Sequence, residues 1–205
     1  MKVTYLDHMG TDLSVVNAAR VSFAKESEWE VFEPFDCMNW PNCDEVGCHE
    51  PEEYELSEKD TKLIAYLAKH NHWTPFAHTA ISLHLKLPFF VAAQVKKHQV
   101  GFVVNEVSRR YVDSEPEFYM PEKWRKRAVN VKQGSSEETV EYPFDVSVSV
   151  YNVLLREYKS LLEHGVCPEQ ARMVLPLSTY TEFWMTGSLA AWARMYKQRS
   201  HSVSC

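Results

Sequence analysis

Strand-type and helix-type periodicities take turns along this chain and predict an α/β protein. Three stretches carry that prediction. Ile81, Leu83, Leu85 and Leu87 alternate with Ser82, His84 and Lys86, the two-residue period of a half-buried strand that ends at Pro88. Ser57 stands three residues before Asp60 and caps a helix whose apolar face is Leu63, Ile64 and Leu67. From Asp145, Val150, Leu154, Tyr158 and Leu161 recur at helical spacing as an inward stripe that stops near Gly165.

The other elements follow in order. Residues 1–6 alternate like a short strand. Leu13 to Phe23 predicts a helix running into a small-residue turn. Residues 34–56, with Pro34, Pro41, Pro51, Cys37, Cys43, Cys48 and many acids, have no period and predict a surface insertion. His70 to His78 predicts a loop. The helix after Pro88 is expected to carry the polar segment that begins at Gln94. Residues 112–143 are loop-rich, with a disordered tip expected around Gly134–Glu138. Pro168 marks a helix start and Pro176 ends that turn. Thr179 and Glu182 form a capping-box pattern that predicts a last helix over 180–199. No repeat or linker divides the chain, so residues 1–205 are expected to form one domain.

At 205 residues the chain can bury a substantial core. Its content of 45% hydrophobic and 24% charged residues is that of an ordinary globular protein. A net charge of −6 argues against general nucleic-acid binding. No apolar run is long enough to span a bilayer, and Met1–Asp7 has no signal-peptide core. Five irregularly spaced cysteines fit a reducing cytoplasm.

Against that acidic background, Gln94 to Tyr111 is a local cationic device. It contains Lys96, Lys97, His98, Asn105, Glu106, Ser108, Arg109 and Arg110, interleaved with Val, Phe and Tyr. Forked guanidiniums beside a small hydroxyl match phosphate oxygens in pairs. A small anionic ligand suits this better than a polymer.

Other constellations are weaker. His70, His72, His78 and His84 lack a carboxylate or thiol at ligand spacing in their loop, so structural or ligand-contacting roles are favoured over a metal. Cys37, Cys43, Cys48 and His49 have the donors for zinc without the usual knuckle spacing. A mobile loop with free thiols is favoured there, and no metal is expected. Cys167, before Pro168, is expected to be a buried packing cysteine. There is no nucleophile elbow, phosphate loop or Gly-x-Gly-x-x-Gly, so any nucleotide or flavin must be held by side chains.

Asn105-Glu106-Val107-Ser108-Arg109-Arg110-Tyr111 is similar to the second half of the signature of the flavin-dependent thymidylate synthases. Ala18–Phe23, His72–Phe76, Gln94, Glu169–Arg172, Val174–Pro176 and Tyr180-Thr181 resemble further family blocks in the same order. The family's Arg-His-Arg triplet is here Lys97-His98-Gln99, with one extra residue before Asn105, a form shared with a phage-like subgroup. Ser188, Ala190 and Arg194 depart from the family's last helix, and its closing Ser-His-Ala-Gln segment is replaced by Arg199–Cys205.

The resemblance implies a central antiparallel sheet flanked by helices. It implies methylation of dUMP to dTMP with methylenetetrahydrofolate as carbon donor, FAD as redox cofactor and NADPH as reductant. It also implies a cytoplasmic homotetramer (in the host cytoplasm if viral) whose active sites draw on several subunits. Arg172 and the basic cluster then need not meet within one chain. By resemblance, Gln94, Glu106, Ser108, Arg110, Arg172 and Arg199 bind dUMP, with Arg199 and Ser108 catalytic. Ser22, His72, Thr74, Lys97, His98, Gln99, Asn105, Glu106, Ser188 and Arg194 lie at FAD-contacting positions. Two alternatives are carried: action on dCMP or transfer of a hydroxymethyl group, and a binding protein without catalysis.

Overall fold

The computed structural model describes residues 1–32, 53–129, 134–141 and 144–200. Most of the expected insertion, including Cys37, Cys43, Cys48 and His49, lies outside them. Two compact units emerge: Met1–Asp7 with Ile81–Gly187 and Ala191–Cys205, and His8–Ala80 with Ser188–Ala190.

The first unit is built on an antiparallel four-stranded sheet in the order β1-β4-β8-β5, formed by β1 (Lys2–Met9), β4 (Ala80–Pro88), β8 (Tyr180–Ser188) and β5 (Phe102–Glu106). Leu85, Leu87, Phe183 and Met185 form the core on one face of this sheet with Ala92 of α3 (Phe89–Val95). Trp192 and Met195 of α6 (Leu189–Ser200) close over it. The Trp192 indole donates to the Ile81 carbonyl at 3.1 Å, so its polar edge is satisfied where the ring is packed.

The expected last helix over 180–199 is corrected: Tyr180–Ser188 is a strand, and the helix begins at Leu189. Buried Thr181, Phe183, Met185 and Gly187 alternate with less buried neighbours, a period of two that overrides the cap-like Thr179 and Glu182. Thr179 is itself fully buried. Glu182 meets His84 at 3.3 Å and Lys86 at 3.4 Å, which a strand's outward face allows.

The segment from Gln94 is corrected too. Helix α3 stops at Val95, a turn follows, and Phe102–Glu106 is strand β5. Gly101, at φ +82°, takes the left-handed conformation that turns the chain into the strand. Strand β5 runs antiparallel to β8, with Phe102 opposite Gly187 and Glu106 opposite Phe183.

Strands β6 (Trp124–Arg127) and β7 (Ser135–Val140) pair antiparallel, so Ser135–Glu138, expected as a disordered tip, are strand residues. Helix α4 (Phe144–Glu163) buries Tyr158, but Val150, expected inward, is half exposed because the stripe points to the core only along the helix's C-terminal part. The short α5 (Pro168–Ala171) and the 3-10 turn Arg172–Val174 pack on α4.

The second unit contains α1 (Asp12–Arg20), a 3-10 turn Val21–Phe23, the antiparallel pair β2 (Glu30–Phe32) and β3 (Glu53–Glu55), α2 (Glu58–Lys69) and a 3-10 turn Pro75–His78. Ser57 caps α2 as expected, accepting from the Asp60 amide at 3.1 Å. Asp60 is buried and ion-paired with Arg20 across α1 and α2. Burial works to raise its pKa. Hydrogen bonds from Arg20, Ser57 and Ser27, with the Arg20 charge, outweigh that and hold the carboxyl below its usual range. Arg20, part of the Ala18–Phe23 block, is thus a structural partner.

Candidate active site

The turn after α3 and the start of strand β5 place a row of donors in the first unit. Arg199, on the last turn of α6, donates through Nε to His98 Nε2 at 2.9 Å and through Nη2 to the Gln94 carbonyl at 3.0 Å. For Nε2 to accept that bond it carries no proton, so His98 is neutral with its proton on Nδ1. Burial lowers the His98 pKa, and the positive charges of Arg199 and Arg194 push it the same way. Arg194 donates through Nη2 to the Val100 carbonyl. The turn is thus held by two guanidiniums of one helix, one on His98 and one on a carbonyl.

Lys97, Gln99 and Asn105 are exposed. Glu106 is committed inside the unit. Its Oε1 accepts from the Thr181 hydroxyl at 2.9 Å, and its Oε2 takes the Lys96 ammonium at 2.5 Å. The Lys96 ammonium also lies 5.7 Å from the centroid of the Phe183 ring.

Beyond Glu106 the chain leaves the strand in a turn. The Val107 amide still bonds the Glu182 carbonyl at 2.9 Å, and the Tyr111 amide bonds the Ser108 carbonyl at 3.0 Å. Ser108 Oγ accepts from the Arg110 amide at 3.3 Å. The Arg110 guanidinium reaches Glu169 Oε1 at 3.2 Å, and Arg172 Nε donates to the Glu169 carbonyl at 3.1 Å. Arg110 and Arg172 each contact Glu169, Arg110 at the carboxylate and Arg172, three residues on, at the backbone carbonyl.

The second unit holds Ser22, His72 and Thr74, all exposed, and Ser188. The His72 ring lies 6.0 Å from that of Tyr66, and its amide bonds the Leu67 carbonyl at 2.9 Å. The Thr74 carbonyl accepts from Ala77 and starts the turn Pro75–His78, which packs on α1. Among the described residues, no three His, Cys, Asp or Glu side chains gather around a possible metal position. Cys167 corrects another expectation. Its thiol is exposed, because the residue stands outside the first turn of α5 and uses its carbonyl to accept from Gln170 and Ala171.

Sequence reasoning passed over Lys96, Thr181 and Glu169 as individual site residues. Lys96 and Glu169 stood inside blocks already marked. What was missing was the knowledge that 180–188 is a strand facing β5.

The chain matches the family described as "Thymidylate synthase complementing protein" over residues 4–203. It is 38% identical to the flavin-dependent thymidylate synthase of Thermosipho africanus over 185 residues, 88% of this chain and 69% of that one. The chain belongs to the flavin-dependent thymidylate synthases. It is also 36% identical to a Thermus thermophilus member, over 89% of this chain and 57% of that one. Among solved structures, the UMP/dUMP methylase PolB of Streptomyces cacaoi bound with 5-Br dUMP superposes at a TM-score of 0.67. The identity is 27%, covering 93% of this chain and 73% of that one. No described helix is long and apolar enough to cross a membrane.

Proposed function

We propose that this chain is a thymidylate synthase that methylates dUMP to dTMP, using methylenetetrahydrofolate as carbon donor, FAD as redox cofactor and NADPH as reductant. Membership of the flavin-dependent thymidylate synthases, matched over residues 4–203, is the observation that carries it, and the Ser108–Arg110 turn, joined to Glu169 by the Arg110 ion pair, supports it. FAD, when bound, supplies the electron transfer that protein side chains cannot. The residues fit such a group. Lys97 is exposed, Gln99 offers an amide, and the neutral His98 carries a proton on Nδ1. Together these are donors for an anionic diphosphate. Ser22, His72, Thr74, Asn105, Ser188 and Arg194 complete the proposed flavin set.

For dUMP, Ser108, Arg110 and Arg172 hold the phosphate, with Gln94 and the Glu106 backbone beside them. Arg199 is fixed by His98 and the Gln94 carbonyl, so it arrives aimed, and a guanidinium beside a pyrimidine carbonyl stabilises negative charge as the ring reacts. The match over residues 4–203 supports one domain, and the aperiodic stretch at 34–56, with its prolines, cysteines and acids, is read as an insertion. We infer a homotetramer, supported by Val103 and Trp184, which stand exposed on the sheet face opposite the core. The reading places the protein in the cytoplasm, where a free thiol such as Cys167 persists.

The test is product identification by mass spectrometry. Flavin-loaded protein given dUMP, methylenetetrahydrofolate and NADPH yields dTMP. Product from dCMP instead, a hydroxymethylated product, or bound flavin without turnover would overturn the assignment.

A further inference from the structure

Lys96 and Thr181, neither of them expected to touch ligand, both contact Glu106, which immediately precedes the turn that presents Ser108 and Arg110. Both Glu106 oxygens are taken inside the chain, one by a hydroxyl of β8 and one by the ammonium at the end of α3. Lys96 is half-buried, reaching past the Phe183 ring that forms part of the core. Glu106 is the last residue of β5, and the next amide, Val107, is the last to bond β8. Ser108 and Arg110 follow in a turn held by the Arg110 amide on Ser108 Oγ and by the Arg110–Glu169 ion pair. The side-chain clamp on Glu106 and the Val107 amide together anchor the strand end from which the proposed phosphate donors follow.

We propose that Lys96 is a positioning residue for the nucleotide site: with Thr181 it grips the Glu106 carboxyl group by both oxygens, and through Glu106 it holds the Val107–Tyr111 turn. This deepens the assignment of Ser108 and Arg110 to dUMP and rests on it. Glu106 then acts through its fixed backbone, and its carboxylate is not a free ligand for flavin or nucleotide. Removing the ammonium leaves one Glu106 oxygen without its partner, so the end of β5 is held by Thr181 and the Val107 amide alone.

The experiment measures dUMP binding and steady-state kinetics on flavin-loaded protein, with circular dichroism as a check on folding. Lys96→Met raises the Kd and KM for dUMP about tenfold, the size of one lost charge-assisted contact, and lowers kcat much less. Lys96→Arg keeps near-parent affinity. Thr181→Val, nearly isosteric, moves KM in the same direction and serves if Lys96→Met does not fold. A folded Lys96→Met protein with dUMP affinity within about twofold of the parent would overturn the proposal, since that lies inside the spread of an ordinary surface substitution. Arg110→Ala separates the two levels. If it weakens dUMP binding and Lys96→Met does not, only the positioning role falls. If neither weakens it, the nucleotide assignment falls as well.

Discussion

Arg172 and Arg199 carry different kinds of consequence. Arg172 donates to the Glu169 carbonyl at one edge of its guanidinium, which leaves the rest of the fork for a ligand. A charge-assisted bond to phosphate is worth roughly 1.5–3 kcal/mol, so Arg172→Ala is expected to weaken dUMP binding about ten- to a hundredfold by calorimetry. Unchanged affinity in both Arg172→Ala and Arg110→Ala would remove these residues from the site. Arg199 is expected to matter to rate. Arg199→Ala should cut flavin oxidation with dUMP and methylenetetrahydrofolate by about a hundredfold, the usual cost of one charge-stabilising donor, while NADPH-driven flavin reduction is largely kept. Its anchor makes the rate pH-dependent. The bond needs an unprotonated His98 Nε2, and the His98 pKa lies below its ordinary value of about 6.5. As pH falls through that lowered pKa, Nε2 takes a proton, turns from acceptor to donor, and the charged ring repels Arg199 and releases it. An acidic limb below about pH 6.5 is expected in the rate, and it should disappear in His98→Gln, whose amide oxygen still accepts. A limb unchanged by that substitution would assign it elsewhere.

The elements show where pattern was enough and where it was not. Strand β4 was legible because one face is buried and the other carries Ser82, His84 and Lys86. Strand β8 was not. Its buried Thr181, Phe183, Met185 and Gly187 include a hydroxyl and a glycine, so the alternation is faint in polarity and visible only in burial. Gly187 shows how tightly β8 seats against β5. A Cβ there would lie 2.3 Å from the Phe102 ring. Phe102 cannot swing aside, since it stands edge-on to Trp192 with centroids 4.7 Å apart. Gly187→Ala is therefore expected to destabilise the protein by about 1–3 kcal/mol through overpacking, read as a lower urea midpoint at unchanged slope. Gly165→Ala is a poor mimic, because that site has open space and costs only its left-handed φ of +82°. A Gly187→Ala midpoint equal to the parent's would show that the β5 end of the sheet yields more easily than its packing implies.

At the scale of the whole molecule, the family and its chemistry were legible in ordered blocks of residues, whereas contact partners were not. Lys96, Thr181 and Glu169 choose Glu106 and Arg110 because folding brings separate segments together, and no local period records that choice. What the totals did establish is that the basic stretch at 96–110 belongs to an acidic chain of net charge −6. Two consequences follow for a flavin held there. Long-range attraction from the rest of the molecule is absent, so retention depends on short contacts. At the position where the family resemblance puts an arginine stands Lys97, an exposed point charge without a fork, and salt screens exposed pairs over a Debye length of about 10 Å at 0.1 M. Flavin dissociation is accordingly expected to quicken as ionic strength rises. Lys97→Arg with Gln99→Arg should slow it and flatten the salt dependence, because each guanidinium offers paired donors and is less strongly hydrated than an ammonium. The measurement is release of flavin fluorescence after dilution into buffers of increasing salt. Release indifferent to both salt and the paired substitution would mean that the turn at 97–99 does not carry the diphosphate.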